Sequence, residues 1–465
     1  MILGLIGNFT AFQDNGLLQD TWSNTTTVHP IGLAVLLILC GIMWILPRRD
    51  ALIPFLILVC FIPSAQRIVV FSLDFTFLRI MVMAGWMRLA IRQEIIPLKW
   101  TGLDFAIIAW GVIGVVVNTI QLGNTDGLVY MLGTRFDALG IYFLFRMLLR
   151  RIEDLDRLIF AFILVSVPVA LMFMVEKATH RNIFSVFGGV PPITMIRRGR
   201  LRCQGAFSHP ILAGCFWAAL LPYFFAFYFK SLSSRFFSFI GISSTLIIIA
   251  CSSSSTPISA VGITVLGYLA LPLKFHLRWI RWLTAMGMVA LHFLMNHPIW
   301  HLLARVDFVG GSTGWYRYFL IDQAIHHFPE WWLVGVPDTT YWGQETYTQG
   351  LFDMTNQYIL EGVIGGIWTL IAFVVMIVIA YRQIGKVWRL FLGKPYFFYL
   401  AWGTGVALFV HNMNFIGVSY FGQIIFIWYM QLAIGANLYS IYLKRKEEAP
   451  LPLVSIPPQL KEAHT

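Results

Sequence analysis

Residues 157–176 read RLIFAFILVSVPVALMFMVE, a run charged only at its two ends. Wound as a helix at about 1.5 Å per residue, it is about 30 Å long, the thickness of a bilayer's hydrocarbon core. Comparable runs precede it at 29–47, 51–69, 73–91, 102–120 and 128–149. Others follow at 208–229, 235–251, 257–273, 279–297, 356–381, 395–412 and 420–442. Together they predict an all-α, polytopic bundle of about 13 spanning helices, occupying residues 29–442. Composition agrees: the 465 residues are 58% hydrophobic and only 12% charged, with a mean hydropathy of +0.74. A soluble domain carries about 25% charged residues, and no polar stretch is long enough to fold as a separate domain.

The basic residues set an orientation. Arg48 and Arg49, Arg92 and Lys99, Arg146 to Arg157, Lys230 and Arg235, Lys274 to Arg281, Arg382 to Lys394, and Lys444 to Lys446 fall in every second loop. By the positive-inside rule those loops are cytoplasmic, which puts the N-terminus outside and the C-terminus inside an inner membrane. The formal charge of +11 is then mostly a topology signal, and no soluble basic module exists to hold nucleic acid. Residues 1–28 lack a basic leader and read as an external segment. Residues 443–465, with four prolines, read as a disordered cytoplasmic tail. The five cysteines, Cys40, Cys60, Cys203, Cys215 and Cys251, show no paired spacing and read as small apolar packers.

Two external segments break the pattern. The basic loop at 177–207 carries Lys177, Arg181, Arg197, Arg198, Arg200 and Arg202. Cations on that side call for an anionic partner, either lipid headgroups or a phosphate or pyrophosphate that arginine forks can grip. The large external loop at 298–355, between the tenth and eleventh spans, is rich in Trp and Tyr. Its residues 314–328 predict an amphipathic helix with Tyr318, Ile321, Ile325 and Phe328 on one face. Such aromatic residues suit either a membrane interface or sugar rings. Within predicted spans, Asp74 and Arg79 read as a structural ion pair, while Arg135, near the external end of its helix, could reach a headgroup site.

The run Arg202-Cys203-Gln204-Gly205-Ala206-Phe207-Ser208-His209-Pro210 leads into a spanning helix. It resembles the Arg-x-x-Gly-x-Phe-x-x-Pro opening of the O-antigen ligase and polymerase superfamily. Arg305, then Gly314-Trp315-Tyr316-Arg317, then Leu333-Val334-Gly335-Val336 resemble that family's external-loop pattern. Asn356-Gln357-Tyr358 with Glu361-Gly362 and Gly365-Gly366 resembles the start of the helix that closes the loop. The sequence departs from the ligases where Thr355 replaces the usual His beside the Asn, and where Ser252 to Pro257 replaces a Ser-Arg pair.

The resemblance implies transfer of a glycan from a polyprenyl-pyrophosphate donor to an acceptor hydroxyl on another glycan or on lipid A core. No cofactor or metal is implied, because pyrophosphate is already a good leaving group. It further implies membrane lipids and other polysaccharide-assembly proteins as partners. Arg202, Arg305 and Arg317 are the expected pyrophosphate ligands, with Arg200 and Arg135 in support. Asp353 is the expected base, ahead of His209, Glu361, His326 and His327. Asn356 and Trp315 complete the expected substrate contacts. His209 also reads as a helix cap. A flippase for lipid-linked glycan and a non-catalytic sugar sensor are the rival readings.

Overall fold

The computed structural model describes residues 26–71, 73–305, 314–343 and 354–448. In chain order the helices are α1 (Pro30–Ile45), α2 (Ile53–Phe61), α3 (Phe77–Ile91), α4 (Gly102–Leu122), α5 (Thr125–Leu148) and α6 (Ile152–Thr179). Then come α7 (Pro210–Ala218), α8 (Leu221–Phe227), α9 (Leu232–Ser252), α10 (Ser255–Leu269) and α11 (Leu277–Leu294). The last are α12 (Gly314–His326), α13 (Phe328–Trp331), α14 (Gln357–Leu390), α15 (Pro395–Asn414) and α16 (Ile424–Glu448). The chain is an all-α, multi-pass membrane protein with two small hairpins, β1 (Arg67–Val70) with β2 (Leu73–Thr76), and β3 (Met195–Arg197) with β4 (Arg200–Arg202).

Seven helices among the described residues, not about 13, are long and apolar enough to cross a membrane: α4, α5, α6, α7 continued by α8, α9, α14 and α16. The other expected spans differ for local reasons. The run at 51–69 stops at Phe61, where the chain turns into β1, so Asp74 lies on β2 and not in a helix. β-Branched residues after Gln66 favour that strand. α1 and α10 are apolar but only 16 and 15 residues long. A window of summed hydropathy cannot separate such buried or half-length segments from full spans.

The spanning helices are apolar on both sides. Leu164 and Leu171 of α6 and Phe236 and Phe239 of α9 are exposed, while other residues of the same helices pack into one continuous core. A helix apolar all round belongs in lipid. α11 has no buried residue, yet exposes Trp279, Leu283, Met286 and Phe293.

One end of the bundle collects the basic loops. Arg48 pairs with Asp154 at 2.9 Å, Arg157 with Asp50 at 2.9 Å, Lys230 with Asp156 at 2.7 Å, and Lys99 with Glu447. The expected disordered tail is helical as far as Glu448. The opposite end carries both hairpins and the described parts of the 298–355 loop. There α12 buries Phe319, Leu320 and Ala324 against Trp331, Trp342, Leu360 and Val363. The buried face is thus rotated from the expected one: Ile325 is 51% and Phe328 42% exposed.

α14 is broken at Gly365-Gly366, where Gly366 takes φ 64°, ψ −174°, a region almost confined to glycine. Backbone groups freed at the break find partners elsewhere. The Val363 carbonyl accepts from Gln121 Nε2 (3.0 Å) and the Val336 N–H (2.9 Å). The Ile364 carbonyl accepts from Asn118 Nδ2 (3.0 Å), and the Ile367 N–H donates to the Trp332 carbonyl (2.8 Å). Irregular backbone in a spanning helix is tolerated only when satisfied in this way. The break is therefore the socket that anchors the Trp332–Val336 segment of the loop.

Candidate functional site

A cavity of about 430 Å³ opens at this second end, lined from β1, β2, α3, α5, α12, α14 and the 417–422 turn. Its wall holds Arg67, Arg79, Arg135, Arg197 and Arg317 against three carboxylates, Asp74, Asp137 and Glu361. Local sequence delivers these groups. The β1–β2 hairpin places Arg67 and Asp74, and Arg198-Gly199, both with positive φ, makes the two-residue turn that folds β3 onto β4 beside Arg197.

The arginines are of two kinds. Arg79 is neutralised: its guanidinium bridges Asp74 (2.6 Å) and Asp137 (3.0 and 2.9 Å). The expected Asp74–Arg79 pair therefore exists, with Asp137 as a third member. Arg135 Cζ lies over Trp110, 3.8 Å from the ring centroid, with Glu361 at 3.9 Å. Glu361 also accepts from Trp110 Nε1 (3.0 Å) and Gln357 Nε2 (2.9 Å). Arg317, by contrast, meets no acid among the described residues. Its Nη2 donates to Thr256 Oγ1 at 2.8 Å, and its buried Nε has no hydrogen-bond partner. A buried donor left so costs about 1–3 kcal/mol, which a bound anion would recover.

Arg202 lies just behind the wall, buried, with Nη2 donating to Ser254 Oγ at 2.8 Å and Nε without a partner. Arg202 and Arg317, from two distant loops, thus converge on the turn between α9 and α10 and the first residues of α10. Burial, and next the charge of Arg197, push the Arg202 guanidinium down to about 10. Burial likewise lowers Arg317, and burial with Arg198 lowers Arg197. This end therefore carries cationic charge in excess of its acids, the condition an anion relieves.

Three glycines make room for three of these arginines. A Cβ on Gly417 would stand 2.6 Å from Arg317 Nε, one on Gly114 2.6 Å from Arg135 Nη2, and one on Gly133 2.8 Å from Arg79 Nη2.

The remaining expected residues divide. His209 lines the cavity and also caps α7, its Nδ1 accepting from the Ile211 N–H at 3.2 Å. Asn356 caps α14, accepting from the Tyr358 and Ile359 N–H groups, and its amide donates to the Ile416 carbonyl. Trp315 is 45% exposed and stacks on Phe319. Arg200 and Arg305 are exposed and do not line the cavity. Asp353 lies outside the described residues. His327 bonds Glu330 at 2.7 Å, away from the cavity. Among the described residues, no three His, Cys, Asp or Glu side chains gather as metal ligands. Sequence reading missed Arg67, Asp137 and the 417–422 turn as parts of one wall. The available signal was an Arg inside a supposed span, at 51–69. No protein-family model matches this chain, and no curated protein matches it.

Proposed function

We propose that this chain is a membrane glycosyltransferase that moves a glycan from a polyprenyl-pyrophosphate donor to an acceptor hydroxyl outside the cytoplasmic membrane. The observation that carries this reading is the cavity with five arginines against three carboxylates. Arg317 and Arg197, which pair with no acid among the described residues, and Arg202 behind them support binding of a diphosphate at this wall. As the glycosidic C–O bond breaks, negative charge grows on the pyrophosphate. Fixed guanidinium groups then bind the transition state more strongly than the ground state. The leaving group needs no metal to depart. Glu361 takes the acceptor proton, since its carboxylate lines the cavity and Arg135 lies beside it. The acceptor is a second glycan, as in polymerisation, in keeping with Thr355 where a ligase carries His.

The test is to incubate purified protein with a polyprenyl-pyrophosphate oligosaccharide and assay for longer glycan and released polyprenyl pyrophosphate. Turnover that Arg317→Ala abolishes supports the reading. Translocation of intact lipid-linked glycan across vesicles without any transfer would replace it with a flippase. Transfer to lipid A core alone would make the protein a ligase.

A further inference from the structure

All five cysteines carry free thiols in the structure, but they are not alike. Cys40, Cys60 and Cys215 sit within α1, α2 and α7, and the sulfur beside Cys40 is that of Met81, at 3.6 Å, which cannot form a disulfide. Cys203 and Cys251 face each other. Cys203 follows β4, is fully buried and donates its backbone N–H to the Cys251 carbonyl at 3.1 Å. Cys251 is the penultimate residue of α9 and is 8% exposed. Both side chains are buried beside that hydrogen bond. A direct backbone hydrogen bond between the two residues brings their chains as close as a disulfide needs, with Cα atoms less than about 7 Å apart.

Their neighbours give the pair a role. Cys203 is bonded in sequence to Arg202, and Cys251 stands three residues before Ser254, the partner of Arg202. Lys177 ties the same strand to the same turn, donating to the Leu201 carbonyl (2.7 Å) and Ser253 Oγ (3.1 Å). We propose that Cys203 and Cys251 are joined by a disulfide in the working protein, clamping the Arg202 strand to the turn that holds Arg202 and Arg317. The bond forms by thiol–disulfide exchange as the β3–β4 hairpin packs, before both sulfurs are buried. A thiolate of one cysteine attacks an oxidised disulfide, protein or small molecule, and releases one thiol. The second cysteine then displaces the other. Two S–H bonds are replaced by one S–S bond, and the acceptor disulfide leaves as two thiols carrying the two electrons and two protons. The proposal rests on the orientation in the functional reading above, which places this end in an oxidising compartment, but not on the transfer chemistry.

The test is thiol counting on full-length protein taken from membranes with free thiols trapped, unfolded in detergent, and labelled with a maleimide before and after reduction. Cys40, Cys60 and Cys215 are expected to label without reductant, all five cysteines after it, and a peptide map to join Cys203 to Cys251. Labelling of all five without reductant, or a bond between any other pair, overturns the proposal. Reduction is also expected to lower the melting temperature of the wild type but not of Cys203→Ser/Cys251→Ser. An equal response in both would remove the clamp. A protein with the bond and no transferase turnover would refute the functional reading and leave this one standing.

Discussion

Gly417→Ala isolates the placement of one guanidinium from the stability of the fold. The backbone of Gly417 is outside the left-handed region, so alanine introduces no backbone strain. The added Cβ would lie 2.6 Å from Arg317 Nε, 3.0 Å from Cζ and 3.3 Å from Cδ. Carbon and nitrogen in contact need about 3.5 Å, so the guanidinium must retreat by about 1 Å. That motion takes Nη2 away from Thr256 Oγ1, now at 2.8 Å. The atoms nearest the added Cβ all belong to the Arg317 side chain and none to backbone, so the arginine gives way and the fold does not. For catalysis, a displacement of about 1 Å is worth up to about 100-fold. We therefore expect kcat/KM for transfer to fall about 10- to 100-fold, roughly 1.4–2.7 kcal/mol of barrier, with the melting temperature unchanged. The control is Gly385→Ala, a helical site in α14 with nothing within 4 Å of the new Cβ, which should be neutral. Transfer by Gly417→Ala within about twofold of wild type, a loss smaller than about 0.5 kcal/mol, would refute the assignment of Arg317 to the reacting diphosphate.

Arg317→Lys should be nearly as damaging as Arg317→Ala in the transfer assay, because an ammonium cannot hold Thr256 and a phosphate in one plane; near wild-type turnover would rule out fork-like binding. Glu361→Gln should lower kcat about 10²- to 10⁴-fold; a loss of that size in Asp353→Asn with Glu361→Gln near wild type would move the base to Asp353. Gly366→Ala should destabilise the protein by about 1–3 kcal/mol from backbone strain alone, and its Cβ would also strike the Leu333 carbonyl; the readouts are thermal unfolding and faster proteolysis near Trp332. Arg79→Ala should cost about 3–5 kcal/mol by stranding Asp137, whose side chain is 8% exposed, and adding Asp137→Asn should restore much of it in the same unfolding assay.

How much of this was legible in the chain depends on the range of the interaction. Burial against lipid is a property of each segment alone, so the all-α, multi-pass character stands out in runs such as 157–176. The alternation of basic loops is likewise local, and those loops do meet at one end through pairs such as Arg48–Asp154. Segment-by-segment hydropathy overcounted the crossings, because it cannot tell α1 or the apolar turn into β1 from a full span. Arg135 could be nominated as a charge inside a predicted span, and Arg317 and His209 through the motifs that carry the resemblance. Arg305 was nominated through the same motifs, yet it stands outside the cavity.

The chain by itself therefore determined that this is a helical membrane protein with a concentration of cations outside the alternating basic loops, since hydropathy and charge act on each residue where it stands. Only the tertiary structure decided which cations share a wall, which are already neutralised by Asp74, Asp137 and Glu361, and that Cys203 meets Cys251. Those are contacts between residues far apart in sequence. They are set by how helices pack and where α14 breaks, and no local pattern encodes them.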